Sequence, residues 1–270
     1  MSEISSLLQH GWKNIWKDKI LWVFSSLVLI DPVIRLVVPI QRNVDLTSSL
    51  FNLLESLAAI YFMFMSYAGV SFIAYCISIG KPVDIQTAFQ AATKLFWRVI
   101  ALTFLLFLFI APCLFVVFIF SFKQPPQIAD FAHNFFFMSI PLSIFAAMWY
   151  FIITETIANN SKIGKSLKTA WTVFTDNFVS LAIIGLVLAF ASYTTNVSIS
   201  TVTMLSQNSF DITAFSKLDF ISPHLSLTDN NFYKLATTTA QAIWRTYSTT
   251  LFTFAYLKYS GVKVSKKIMS

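Results

Sequence analysis

The feature that most constrains the fold is a long stretch without a charged residue, Val99 to Phe122, which reads VIALTFLLFLFIAPCLFVVFIFSF. At about 1.5 Å per residue, a helix over this stretch reaches about 36 Å, which exceeds the hydrocarbon core of a bilayer, about 30 Å thick. The stretch therefore predicts a transmembrane helix, and lipid is then the solvent for much of the chain.

The composition of the whole chain favours the same class of protein. Of its 270 residues, 56% are hydrophobic and 11% are charged, whereas a soluble domain has about 25% charged residues. The net charge of +7 is typical of a membrane protein whose Lys and Arg residues lie in cytoplasmic loops. We therefore expect the lipid bilayer, and not a nucleic acid, to be the principal partner.

Apolar segments predict six transmembrane helices, at about residues 20–40, 57–79, 99–122, 135–158, 178–205 and 232–259. Three amphipathic segments precede the first, third and fifth spans, at residues 2–19, 83–97 and 159–177. The predicted fold class is all-α: a polytopic membrane helix bundle of six transmembrane helices plus three cytoplasmic-side amphipathic helices. We expect a single integral-membrane domain over residues 1–270.

Two of the amphipathic segments have faces that the helical period defines. In the first, the predicted apolar face holds Leu7, Leu8, Trp12, Ile15 and Trp16. In the second, Asp84 is predicted to cap a helix with Ile85, Phe89, Ala92 and Phe96 on its apolar face. Tryptophan at such positions is typical of helices at a membrane–water boundary.

The charge distribution predicts how the chain is threaded through the membrane. With both termini in the cytoplasm, the inner segments hold most cations, and the outer loops hold few cations beyond Arg42, Lys123 and Lys217. This positive-inside bias predicts a multi-pass protein of the bacterial inner membrane with its N-terminus and C-terminus in the cytoplasm.

The three amphipathic segments align with one another, which suggests an internal repeat. Matched positions are Leu8, Gly11, Trp12 and Ile15; Phe89, Ala92, Thr93 and Phe96; and Leu167, Ala170, Trp171 and Phe174. The predicted parallel repeats cover residues 1–80, 81–158 and 159–270. The alternative is that any interfacial helix requires such a pattern.

Two stretches, GKPVDIQTAFQAATKLFWRVIAL and ITETIANNSKIGKSLKTAWTVFTDNF, resemble a bacterial family of six-span membrane proteins. That family includes the membrane domain attached to some glycerophosphodiester phosphodiesterases. In it an acidic residue ends the fourth span before a Ser-containing basic helix, and Glu155 and Ser166 match that arrangement. The resemblance implies an accessory or transport-like role. The attached catalytic domain has no counterpart here, so no catalytic or metal-binding residue is carried over.

Charged residues inside predicted spans mark a first candidate site. Asp31 and Arg35 share a helical face in the first span, and Arg245 lies near the middle of the sixth. Such residues usually face a bundle interior. The hypothesis is a buried cluster of Asp31, Arg35 and Arg245, which is either a structural tie or a site for an anionic or proton-coupled ligand.

Polar residues in the fifth and sixth spans form a second signal, with Asn196 and Gln241 among many Ser and Thr residues. Their hydroxyls either hold helices together or line an outward-facing cavity beneath the hydrophilic connection at residues 206–231. Glu155, near the cytoplasmic end of the fourth span, is expected at the interface with Arg98 or Lys162 as its partner.

Sequence motifs for catalysis do not occur: there is no HExxH, GxSxG or P-loop pattern. Cys76 and Cys113 lie far apart in apolar runs, so no metal site or cofactor is expected. Three functional hypotheses remain: a non-enzymatic accessory, scaffold or permease-like protein acting with lipids, envelope components or other membrane proteins; a small transporter; and an intramembrane lipid-acting enzyme with Asp31 or Glu155 as base.

Overall fold

A computed structural model describes residues 2–37, 46–121, 145–160, 162–206 and 231–261, and within these ranges it contains helices and no strands. The expected all-α fold is therefore confirmed. The helices are α1 (Ser2–Ile15), α2 (Lys19–Ser26), α3 (Ile30–Val37), α4 (Leu46–Ser78), α5 (Ile85–Ser121), α6 (residues 145–159), α7 (Ile163–Asp176), α8 (Phe178–Ser206) and α9 (Asn231–Tyr259).

Three helical segments in the described part of the chain are long and apolar enough to cross a membrane: Leu53–Ser78, Ile85–Leu108 and Phe178–Thr203. Length and composition therefore indicate a membrane protein. Outside the described ranges lie residues 135–144 of the predicted fourth span, most of the hydrophilic connection at residues 206–231, and the residues from 262 onward.

The predicted first span is not one continuous α-helix. A 3₁₀ turn at Leu27–Leu29 separates α2 from α3. Pro32 lies two residues into α3 and has no amide hydrogen to donate to the carbonyl of residue 28, so the regular helical ladder is interrupted there. Asp18 caps α2, because its Oδ1 accepts a hydrogen bond from the amide of Ile20 at 2.9 Å.

The second amphipathic segment is not a separate helix, contrary to the prediction. It forms the first turns of α5, which continues without a break to Ser121, because no Gly or Pro separates residues 83–97 from the following span. The predicted cap is confirmed: the amide of Thr87 donates to Asp84 Oδ1 at 2.7 Å. Of the predicted apolar face, Ala92 is buried, whereas Ile85 and Phe89 are about half exposed.

Two helices form the centre of the bundle. Helix α9 contacts α1, α2, α3, α4 and α8, and its residues 246–257 are buried with the exception of the half-buried Ser248. Residues 147–156 of α6 are likewise buried, apart from the half-buried Trp149. These helices are enclosed on all sides along those segments.

Helix α1 packs against α9, one of the two central helices. Leu7 and Ile15 are buried, whereas Trp12 and Trp16 are exposed, so the predicted apolar face divides into two. Gly11 permits the close approach, because a Cβ there would lie 3.2 Å from the Leu251 Cβ and from the Tyr247 ring.

The aligned positions of the three amphipathic segments share a pattern of burial. The small residues Gly11, Ala92 and Ala170 are all buried, and the residues that follow them are all exposed. This agreement is expected for a repeat, but the repeat itself stays a prediction.

Candidate functional site

Polar and aromatic side chains from six helices form a set of contacts that starts from three consecutive residues of α9, 244–246, each of which contacts a different neighbouring helix. We call this set the polar layer. Its members are Ser25 of α2, Tyr67 of α4, Thr103 of α5, Trp149 of α6, Thr195 of α8, and Trp244, Arg245 and Thr246 of α9.

Arg245 is the only formal charge among the members of this layer. Its guanidinium carbon lies 4.4 Å from the centroid of the Tyr67 ring, a distance at which the ring quadrupole attracts the cation. Its Nη1 is buried and has no hydrogen-bond partner in the described part of the chain. A buried donor without a partner costs about 1–3 kcal/mol. A ligand that accepted a hydrogen bond from Nη1 would remove this cost.

Aromatic contacts extend the layer from Arg245 to α5 and α6. The rings of Tyr67 and Trp149 meet edge to face, with centroids 4.8 Å apart. The indole Nε1 of Trp149 then donates a hydrogen bond to the Thr103 hydroxyl at 3.0 Å. Because a buried indole N–H needs an acceptor, this contact fixes α6 against α5.

The layer reaches α8 and α2 on the other sides of α9. Trp244 Nε1 donates to the Thr195 hydroxyl at 3.0 Å. Ser25 and Thr246 place their hydroxyl oxygens 2.6 Å apart, and Ser25 Oγ donates to the Ala242 carbonyl at 3.2 Å. Arg245 is therefore level with Ser25.

The predicted charged cluster is described only in part. Asp31 and Arg35 lie in α3, which contacts α9, but their side chains fall outside the described structure. Six residues separate Asp31 from Ser25, which places its backbone roughly 10 Å further along the helix path. The predicted contact between Asp31 and Arg245 stays a prediction.

The Ser and Thr residues of α8 and α9 mainly hydrogen-bond to their own helices. Thr195 donates to the Ala191 carbonyl and Thr249 to the Arg245 carbonyl, each at 2.8 Å. Such bonds satisfy hydroxyls inside a bundle without any cavity. Of the two predicted amides, Asn196 is half-buried in α8 and Gln241 is exposed on α9.

The environment of the Glu155 side chain differs from the predicted one. The side chain is 2% exposed, so its expected extension to the interface is wrong. Its Oε2 accepts hydrogen bonds from Asn159 Nδ2 at 2.7 Å and from the Tyr256 hydroxyl. Both donors are neutral groups, an amide and a phenol. Helix α6 continues past Glu155 to residue 159, and the bond from Tyr256 holds the carboxyl beside α9.

The two predicted partners of Glu155 lie elsewhere. Arg98 Nη1 donates to Asn160 Oδ1 at 3.0 Å, and Lys162 is exposed immediately before α7. Asn160 has a positive φ of 44°, a left-handed conformation that Asn tolerates better than most residues. The turn between α6 and α7 is thereby attached to α5.

Sequence reasoning identified Arg245 but missed Tyr67, Trp149 and Tyr256. A usable signal was present, since Tyr and Trp in the middle of an apolar helix carry polar groups that need partners. Among the described residues, no group of three His, Cys, Asp or Glu side chains is placed to hold a metal ion. No protein-family model, curated protein or solved structure matches the chain.

Proposed function

We propose that the protein is a non-enzymatic protein of the bacterial inner membrane with an accessory or permease-like role, and that its polar layer binds an anionic group. The observation that carries this proposal is the buried Nη1 of Arg245, a charged donor without a described partner. A hydrogen bond from such a donor to a ligand is stronger in a low-dielectric interior than in water.

The chemistry around Arg245 favours an anion over other ligands. The guanidinium supplies a fixed positive charge and a fork of N–H donors, and the face of Tyr67 covers it on one side. The anion is a phosphate-like group, either a free ion or the headgroup of a phospholipid. The structural-tie hypothesis, in which the cluster of Arg245, Asp31 and Arg35 only fixes helix register, remains the second candidate.

An enzymatic role is less well supported. The intramembrane-enzyme hypothesis requires Asp31 or Glu155 to act as a base beside a lipid-accessible groove. Glu155 is enclosed by the bundle and held by Tyr256 and Asn159, which leaves it poorly placed to reach a substrate.

The proposal includes six spans, both termini in the cytoplasm, three parallel repeats and membership of the six-span family described above. In this proposal the six spans are assigned to α2–α3, α4, α5, α6, α8 and α9. A central helix as polar as α9 is compatible with a membrane because its neighbours separate it from lipid. A reporter enzyme fused after Ser270 is expected to be active only in its cytoplasmic form.

The ligand proposal is tested by thermal unfolding of the detergent-purified protein with two probes, inorganic phosphate and phosphatidylglycerol in mixed micelles. We expect one probe to raise the Tm of the wild type, and the shift to disappear in Arg245→Gln but persist in part in Arg245→Lys. A shift with phosphate indicates a free anion as ligand, and a shift with the lipid alone indicates a headgroup.

The control is Lys168→Gln, which removes one positive charge from the exposed surface of α7, outside the polar layer. If neither probe shifts the Tm of the wild type, or if Arg245→Gln responds like the wild type, the ligand proposal is wrong. A large loss of stability in Arg245→Gln together with no response to either probe supports the structural tie.

A further inference from the structure

We infer that a second, separate site at the junction of α5 with the α6–α7 turn binds the phosphate of an anionic phospholipid. We call it the basic corner, and it consists of Lys94, Trp97, Arg98, Asn160 and Lys162. The inference rests on the proposed membrane location but not on any ligand at Arg245.

One hydrogen bond joins the two chain segments that carry the cations of the basic corner. Arg98 Nη1 donates to Asn160 Oδ1 at 3.0 Å, which attaches the turn before α7 to α5. Lys162 follows Asn160 by two residues and is exposed. Lys94 lies four residues before Arg98, on the same face of α5, and is also exposed.

The exposed surface of α5 changes character at this position. Before Arg98, the exposed side chains are mostly polar, and they include Gln86, Thr87, Gln90, Thr93 and Lys94. Beyond it, they are apolar: Phe104, Leu105, Phe107 and Leu108. Trp97, at the change, is 73% exposed, and exposed Trp is typical of the boundary between headgroups and acyl chains.

The order of these surfaces matches the order of groups in a phospholipid. Polar side chains face water, the cations lie at the level of the phosphate, Trp97 lies at the boundary, and the Phe and Leu side chains lie along the acyl chains. Positive charge at the phosphate level selects an anionic headgroup over a zwitterionic one. In this arrangement the first turns of α5 lie outside the hydrocarbon, although the segment Ile85–Leu108 as a whole is long and apolar enough to cross a membrane.

The test is lipid retention, measured by native mass spectrometry of the full-length protein purified from mixed phosphatidylglycerol and phosphatidylcholine. The triple variant Lys94→Gln, Arg98→Gln and Lys162→Gln is compared with the wild type. We expect preference for phosphatidylglycerol to fall about fivefold for each charge removed. The control Lys168→Gln, an exposed charge further along α7, is expected to retain the wild-type preference.

Single substitutions at Arg98 provide a second test for the case in which the triple variant does not fold. If the triple variant does not fold, Arg98→Gln is compared with Arg98→Lys, which restores the charge and is expected to restore lipid preference. Equal retention of both lipids by the wild type, or an unchanged preference in Arg98→Gln and the triple variant, would overturn the inference. Because the basic-corner variants keep Arg245, a change in their lipid preference reports on the basic corner alone, so failure at one site does not imply failure at the other.

Discussion

Helices α8 and α9 have the same length, 29 residues each, and lie against each other, yet they reverse the usual relation between polarity and burial. Helix α8 is among the strongly apolar segments and exposes six large apolar side chains in its first half: Phe178, Val179, Ile183, Leu186, Val187 and Phe190. Helix α9 is rich in Thr and contains Arg245, yet among its described side chains only Gln241 and Lys258 are exposed.

The reversal indicates that the exposed faces of the helices lie in lipid and not in water. In water, exposed apolar surface costs about 25 cal/mol per Å², so α8 would be the helix to bury. In lipid that cost disappears, and the polar helix must be enclosed instead. The comparison therefore supports a membrane location independently of helix length.

A charge on the exposed face of α8 is expected to have the largest effect. Leu186→Lys places an ammonium group near the middle of an apolar span, at a cost of about 3 kcal/mol in lipid. We expect a strong loss of membrane-inserted protein in fractionated cells. Thr172→Lys, on the exposed face of α7, is the control and is expected to insert normally. Improved solubility of Leu186→Lys without detergent would break the comparison.

The packing around α4 tests whether the enclosed side of the bundle is as tight as a protein core. A Cβ at Gly69 would lie 2.0 Å from Phe24 Cδ1, and Phe24 is itself buried. Gly69→Ala is therefore expected to destabilise the protein by about 1–3 kcal/mol through overpacking. Differential scanning fluorimetry in detergent measures this loss.

Gly164→Ala is the matched control for Gly69→Ala. A Cβ at Gly164 meets no atom within 4 Å, and Ala is the better helix former by about 0.5–1 kcal/mol. We expect an unchanged or slightly raised Tm. Equal Tm values for the two variants would mean that Phe24 moves freely, and the interior would then be loosely packed.

The polar contacts of α9 should be worth more inside the bundle than at its surface. Tyr256→Phe removes the hydroxyl that donates to the buried Glu155, and a buried polar atom that loses its hydrogen-bond partner costs about 1–3 kcal/mol. We expect a lower Tm. Tyr61→Phe removes a hydroxyl from an exposed residue and should change the Tm little; a similar loss in both variants would contradict the enclosed position of α9.

The smallest expected effect on stability comes from Asp84, which lies outside α8 and α9. The hydrogen bond from the Thr87 amide, followed by that from the Thr87 hydroxyl, lowers the pKa of the Asp84 carboxyl. The folded pKa then lies below the unfolded one, so the stabilisation is present above the unfolded pKa and is lost as the pH falls through the folded pKa. Asp84→Asn should lose slightly less Tm on acidification than the wild type, as measured by fluorimetry; a larger loss would contradict the cap.

The sequence predicted helices well where apolar length or capping chemistry decides the outcome. Asp84 was predicted as a cap from its residue type alone, and the segment at 178–205 corresponds closely to α8. The sequence also located Arg245 as an interior charge, because a cation in a span has few other places to lie.

Tertiary contacts decided the features that the sequence did not predict. One of the two neutral partners of Glu155 is Tyr256, which lies 101 residues away in the chain, and no local pattern specifies such a pairing. Likewise, periodicity places Trp12 and Ile15 on one face of α1, yet Ile15 is buried, whereas Trp12 is exposed and contacts the Tyr247 ring of α9. The close approach of the two helices at Gly11 is a tertiary contact that the period does not show.

The most direct test of the account is the environment of α8. A nitroxide label is attached at Val187→Cys in a protein whose Cys76 and Cys113 are replaced by Ala, and collisions with oxygen and with a water-soluble nickel chelate are compared in lipid nanodiscs. The account predicts that oxygen collisions dominate at position 187 and that nickel collisions dominate at Lys168→Cys. Free access of the nickel chelate to position 187 would contradict the claim that the apolar face of α8 lies in lipid.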